Sequence, residues 1–458
     1  MVEILQENLS YIIEKFGIKY MKFPRVLIIS PEPYIESSTS RYLSSFFGQW
    51  DENAIAQFYT TRSLPTSGFC RYYYRITDED MLNNLLGKVA PGQIFSIFEK
   101  STVEKNHNLP NNKEGKLLIW VKRRLNTKTP LFQLIRLVLW REKYWNNKKF
   151  KKWIDDFSPE LLFLDLGPDN RLAKIAISIS QRKNIPIITF LPDDFYFKIK
   201  NYFSPFTVIY SYLFKRTTKY ILSVSAYNIF SCNMMKEIYC KKFKCSGDVL
   251  YFISNIKRVP WEGRKNNTFS YLGSLEYGRW KSLVKVGNAL QEISKDFYLD
   301  VFSNIENRKC KLAFERCRGI KFHGRIPYSK VIETMQTSQF VIHVEDFDSK
   351  NKKHTKYSLS TKIADCLTCG AITIAFGPKD IGSIDYLIDT GAALVCINEN
   401  KINSDILNLI NNNELRNKII CNSLRISKKN HSADINQENM REICESVIKN
   451  RYSGKNLT

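Results

Sequence analysis

No apolar run in this chain reaches the roughly 18–20 residues that a helix needs to cross a bilayer. The first twenty residues carry acidic side chains and no signal-peptide pattern. The expected location is therefore the cytoplasm, with the inner face of the cell membrane as an open alternative. Carboxylates are in deficit, 45 Asp and Glu against 69 Lys and Arg, which leaves a net charge of +24. Such an excess argues for an acidic partner: nucleic acid, anionic lipid headgroups or a phosphate-bearing substrate. Solvated lysine faces account for the same number without any partner. Zinc-finger and RNA-recognition signatures are missing, so nucleic acid is not expected, although a basic nucleic-acid-binding protein stays as an alternative. The eleven cysteines follow no framework and their number is odd, as for reduced thiols. One C-x-x-C occurs, Cys366 to Cys369, but no second pair or histidine stands at ligand spacing, so no metal site is expected. The glycines of a dinucleotide fingerprint are absent after the first strand, and there is no internal repeat.

What is present is a folded composition, 43% hydrophobic and 25% charged, over 458 residues, comfortable for two domains. Short β-rich runs alternate with helical spacing. Arg25–Ser30 reads as a strand, followed by the polar patch Ser37–Ser40 and a helical segment from Arg41. Ala54–Tyr59, Gln93–Phe98, Leu161–Asp165, Ile185–Leu191 and Tyr227–Ser231 read as further strands. Strand, helix and strand in succession imply a parallel sheet, whose ligand side lies at the carboxyl ends of its strands. Asp193 and Asp194 close one such strand, which makes them candidates for acceptor binding or proton transfer. Plain turn chemistry is the competing explanation.

Two aromatic and basic stretches stand out. In Pro130–Phe157, Leu131, Leu134, Ile135 and Val138 share a helical face, and Trp140, Trp145 and Trp153 follow among lysines and arginines. An amphipathic, aromatic, basic helix is the kind that lies in a membrane interface beside anionic lipid. A core-packing helix with lysines turned to water has the same pattern. Phe195–Tyr220 is a second stretch of this type. Asn255–Asn267 is polar and aperiodic and reads as an interdomain linker.

The chain is organised around Tyr357–Pro378, YSLSTKIADCLTCGAITIAFGP. Ser360, Thr361 and Lys362 open a short helix, Gly370 closes it, and Ala371–Phe376 continues as a buried strand. Hydroxyls, backbone N–H groups and a lysine at a helix start suit an anion such as diphosphate. Asp365, one turn further on, suits a sugar diol, since bonds to an ionised oxygen are the stronger kind. An ordinary capped helix before a core strand is the alternative.

An acidic residue, Gly five positions later and an apolar strand resemble the donor-binding signature of GT-B glycosyltransferases. In retaining members the stretch reads E-A-(M/L)-A-(C/A)-G-x-P-V. Here Asp365 stands for the usual Glu, Gly370 matches the glycine, and Tyr357 occupies the place of the companion Glu. Ser360-Thr361-Lys362 is similar to a Ser/Pro-(T/L)-K found in members linked to bacterial surface polysaccharides. The resemblance implies an α/β fold of GT-B architecture, two Rossmann-like domains with parallel sheets facing a central cleft. It further implies that Gly273 and Arg279 belong to a loop that reaches the donor phosphates. Gly324 and Arg325 then lie near the nucleobase, and Ser38 and Thr39 face the cleft. The expected divisions are an acceptor-side domain 1–254, a linker 255–267, a donor domain 268–430, and a helix within 431–458 that crosses back. The expected activity is transfer of a sugar from a nucleotide sugar to a lipid-linked or polysaccharide acceptor, with retention and without metal or cofactor. A noncatalytic scaffold of a polysaccharide-assembly complex shares every one of these features.

Overall fold

The computed structural model describes residues 23–35, 42–65, 68–87, 90–95, 129–198 and 204–452. Ser38 and Thr39 lie outside the described residues, as does the end of the strand expected over Gln93–Phe98. Among the described residues two sheets form. The first has eight strands: β1 (Val26–Ile29), β2 (Ile55–Tyr59), β3 (Tyr72–Arg75), β4 (Gln93–Phe95), β5 (Leu161–Asp165), β6 (Ile187–Leu191), β7 (Tyr227–Phe230) and β8 (Gly247–Val249). Their spatial order is β4-β3-β2-β1-β5-β6-β7-β8. Every pairing is parallel except β3 with β4. The second sheet holds β9 (Lys265–Leu272), β10 (Leu299–Phe302), β11 (Ile320–Phe322), β12 (Ser338–Val344), β13 (Ile372–Phe376) and β14 (Leu394–Cys396). It is wholly parallel, in the order β11-β10-β9-β12-β13-β14.

In each sheet the chain winds outward from its first strand, then returns to the other side of that strand. The reversal falls between β1 and β5 in one sheet and between β9 and β12 in the other. Ligands of doubly wound folds bind at the carboxyl ends of the strands at such a reversal. Parallel strands covered on both faces need uninterrupted apolar runs. Val26–Ile29 and Ile372–Phe376 accordingly have every residue buried.

The helix Ala433–Tyr452 returns to the first domain. Met440, Cys444 and Val447 join a core with Leu43, Phe46 and Phe47, and Gln437 donates to the Ser44 carbonyl at 2.8 Å. A second core is shared by both domains. It holds Leu164, Ile187 and Met235 of the first together with Leu359, Ile363, Leu367 and Ile384 of the second.

Two segments differ from expectation. Residues 265–267, read as linker, are the start of β9; their exposed strand end is polar and masks the pattern. Arg264 beside them is buried and donates to the carbonyls of Met335, Ser338, Val259 and Cys369. The stretch Pro130–Phe157 forms three helices, Pro130–Leu139, Glu142–Trp145 and Lys148–Phe157, instead of one. Trp140, Trp145 and Trp153 are only 4%, 2% and 6% exposed and belong to the core under the first sheet. The tryptophans are thus packing residues and not membrane anchors. No helix among the described residues is long and apolar enough to cross a membrane.

Candidate functional site

The reversal of the second sheet gathers Gly273, Arg279, Ser360 and Lys362, four of the eight expected donor residues. β9 ends at Leu272, and Gly273 follows with its N–H on the Phe302 carbonyl at 3.3 Å. A Cβ on Gly273 would collide with the Lys362 ammonium and the Tyr271 hydroxyl. Glycine is therefore what lets the lysine lie across the end of β9. Gly278, at φ +73°, starts the helix Arg279–Ile293, and a side chain there would run into the Asp346 carboxylate. The helix enters beneath β12, where Ser282 donates to the Glu345 carbonyl at 2.8 Å.

Arg279 turns inward and donates to Glu345 Oε1 at 2.9 Å. The Glu345 side chain is buried and that of Arg279 half-buried. Burial disfavours the charge on Arg279, but Glu345 outweighs it and raises the guanidinium further. Burial likewise pushes the Glu345 carboxyl up against the pull of Arg279. His343, with Nε2 3.5 Å from Glu345 Oε1, is driven down to about 3 by burial and by Arg279 and Lys362. It is neutral at any working pH. Lys362 is lowered to about 8 by burial first and by repulsion from Arg279 second. Two cations, one carboxylate and one neutral imidazole thus meet at the ends of β9 and β12.

Ser360, Lys362, Arg279, Tyr271 and His343 line a cavity of about 20 Å³, room for one water and no more. Just outside it, Tyr277, Gly278, Lys281, Asn351 and His354 border an open cleft of about 440 Å³. Lys281 pairs there with Asp346 at 3.3 Å. Lys362 therefore fills the inner space itself.

The other expected residues distribute differently. Thr361 begins the Lys362–Thr368 helix without a side-chain capping bond. The Ser360 N–H is taken by Ser383 Oγ at 2.9 Å. The helix start is thus less of an open anion nest than its hydroxyls suggest. Asp365 is buried, accepts from Ser254 Oγ at 2.7 Å and lies outside the lining of the small cavity. Its charge acts on Lys362 through space, while its carboxylate fastens the helix to the segment joining the domains. Gly324 (φ +74°) and the exposed Arg325 follow β11, two strands from β9 and beyond either cavity.

Asp193 and Asp194 part company. Asp194 is buried, and its Oδ1 accepts from the N–H groups of Tyr196 and Phe197 at 3.0 Å and from the Tyr239 hydroxyl at 2.7 Å. Three donors on one oxygen hold a turn, the competing explanation for Asp194. Asp193 pairs with Lys198 and accepts from Ser358 Oγ, just ahead of the Lys362 helix. It spans the two domains.

The first sheet has its own site, unforeseen in the sequence. At the ends of β1 and β5 a cavity of about 1070 Å³ is lined by Glu32, Thr61, Asp78, Arg136, Asp169 and Arg171, among others. Arg171 is buried between Asp169 and Asp78, and Arg136 joins Asp78 at 2.9 Å. Close by, Asp165 accepts from the Tyr42 hydroxyl. Its Oδ1 has no hydrogen-bond partner among the described residues. Burial raises it to about 6. Asp165 and Glu345 share a trait that was available earlier: each is an acid at the carboxyl end of an apolar parallel strand, beside the reversal.

The Lys362 value sets a pH test. Its ordinary value is 10.5 and the fold lowers it to about 8, so the ammonium is charged below pH 8 and is lost above it. An anionic ligand stabilises the charged form, hence ligand binding takes up a proton above pH 8. Affinity for a nucleoside diphosphate should be level near pH 7 and fall above pH 8, by at most about tenfold per pH unit. Lys362→Arg should level the profile through pH 9.5. Calorimetric titrations across this range check it, and an unchanged slope in the arginine variant would remove Lys362 from the anion site.

No family model matches the sequence, and no curated protein matches it. Solved structures do. Sucrose-phosphate synthase from Thermosynechococcus elongatus superimposes with a TM-score of 0.58 at 11% identity, over 93% of this chain and 99% of that one. Anabaena HepE, solved in complex with UDP and glucose, gives 0.57 at 11% identity, over 92% and 100%. WaaG, a glycosyltransferase involved in lipopolysaccharide biosynthesis, gives 0.55 at 10% identity, over 91% and 99%. At such low identity, agreement over whole chains is agreement of fold, and the fold of this protein is the GT-B architecture of those glycosyltransferases.

Proposed function

We propose that this protein transfers a sugar from a nucleotide-sugar donor to a lipid-linked or polysaccharide acceptor, with retention at the anomeric carbon. The observation that carries the reading is the meeting of Arg279 and Lys362 at the reversal of the second sheet, beside the open cleft bordered by Lys281. Departure of a nucleoside diphosphate builds charge on its phosphate oxygens. Preorganised cations in a partly dry site stabilise that charge more strongly than water does. Arg279 is held in place by Glu345, and Lys362 is the mobile partner. In this reading they do the work without a metal ion.

UDP and UDP-glucose are bound in the HepE structures, which supports a uridine nucleotide as the first donor to try. The 1070 Å³ cavity of the first domain is the acceptor's place. Its paired carboxylates and guanidinium groups suit the hydroxyl groups of a sugar. WaaG's involvement in lipopolysaccharide biosynthesis supports a lipid-linked acceptor.

A noncatalytic scaffold is favoured by one observation, that Glu345 already engages the guanidinium of Arg279. One experiment separates the readings. The protein is incubated with a panel of radiolabelled nucleotide sugars and extracted bacterial lipid, and label is followed into the organic phase. Transfer from at least one donor is expected. Donor binding with no transfer to any acceptor fraction would favour the scaffold, and no donor binding would overturn both.

A further inference from the structure

The two aromatic, basic stretches regain a role once the tryptophans of the first are assigned to the core. In the helix Pro130–Leu139 the outward positions are Leu131, Ile135 and Val138, spaced four and three apart. They are 41%, 43% and 54% exposed. The helix Pro205–Val224 packs against it. Its outward stripe begins with Phe206, Val208, Ile209 and Tyr212, the last 64% exposed, and continues into exposed Arg216 and Lys219. Single exposed apolar residues need no explanation, but adjoining stripes on neighbouring helices do. The inner faces of the same helices, through Gln133, Arg136, Thr207 and Tyr210, form part of the wall of the 1070 Å³ cavity.

We propose that these paired helices are the surface by which the protein sits on an anionic lipid bilayer, with the acceptor cavity opening beside the headgroups. The apolar stripes enter the headgroup boundary and the cations meet lipid phosphate, as for helices that lie in an interface. The protein's net charge of +24 draws the whole molecule toward a negative surface. A lipid-linked acceptor then enters between the helices while its lipid stays in the bilayer, which spares the cost of extracting the chain. This deepens the acceptor reading given above but is tested apart from it.

The test is flotation of the full-length protein with vesicles of phosphatidylglycerol or of phosphatidylcholine. Binding to the phosphatidylglycerol vesicles is expected, weaker at high salt. The paired substitution Ile135→Ser and Ile209→Ser should lower binding about tenfold or more. Arg216→Gln and Lys219→Gln should each lower it by about fivefold. All of these residues are exposed, so the fold and donor binding should persist, and donor titration of each variant shows this. Absence of vesicle binding overturns the assignment. So does loss of binding on replacing Lys148, Lys149, Lys151 and Lys152 but not on replacing the isoleucines. A dimer dissolved by the isoleucine substitutions, without vesicle binding, identifies the face as a contact between two copies and equally overturns it.

Discussion

Lys362→Ala should reduce affinity for the preferred nucleotide sugar by about tenfold to a hundredfold while the protein stays folded. A hydrogen bond to a charged group contributes roughly 1.5–3 kcal/mol, and each 1.4 kcal/mol is tenfold in affinity. The side chain lies over the Tyr271 ring, 6.0 Å from its centroid, next to the half-buried guanidinium of Arg279. Its removal relieves repulsion with Arg279, so thermal stability should hold or rise. Asp365→Ala should behave in the opposite way. It loses the bond from the half-buried Ser254 hydroxyl, and a hydrogen bond to a charged group contributes about 1.5–3 kcal/mol. Its effect on donor affinity should be the smaller of the two, acting only through the charge of Lys362. Calorimetric titration and thermal melts of both variants read the split. Equal loss of affinity in the two would return Asp365 to the sugar diol, and unchanged affinity in Lys362→Ala would empty the donor assignment.

The sequence was legible where the local signal and the tertiary role coincide. Val26–Ile29, Leu161–Asp165 and Ile372–Phe376 are apolar runs of strand length, and burial on both faces is what a parallel sheet asks of them. The Lys362 helix and β13 likewise fall within the one stretch whose spacing resembles a known signature. Strand β3 is Tyr72–Arg75, three tyrosines and an arginine, and β8 is three residues at a sheet edge. Neither is long enough to show a period. The tryptophans misled for a different reason. Periodicity reports that a helix has two faces but not which neighbour meets each, and Asn146 and Asn147 break the segment so that the rings turn inward. Glu345 was out of reach because its meaning is topological. It follows the last residue of β12, and only the return of the chain to the far side of β9 sets it against Arg279, 66 residues earlier in the chain. The large cavity of the first domain has the same character, since Asp78, Arg136 and Arg171 come from three separate helices.

Glu345→Ala should be among the most destabilising single substitutions in the second domain. It leaves the half-buried Arg279 without its carboxylate and next to Lys362, and breaking a fully buried ion pair on one side costs about 3–5 kcal/mol, an upper bound here. The carboxylate cannot be spared by hydration, because its side chain is 1% exposed. Replacing both partners is a different matter. Arg279→Met with Glu345→Met removes charge and counter-charge together, and apolar side chains of similar volume in place of a buried pair are often close to neutral. The double variant should therefore recover most of the urea midpoint lost by Glu345→Ala. Donor affinity should not return with it, because the guanidinium proposed to meet the phosphates is gone. Stability and binding thus come apart in one cycle of four proteins. If the double variant regains both, Arg279 serves only to neutralise Glu345, and the diphosphate is gripped elsewhere. If it regains neither, the pair holds the ends of β9 and β12 in register and the site depends on that geometry more than on its charge.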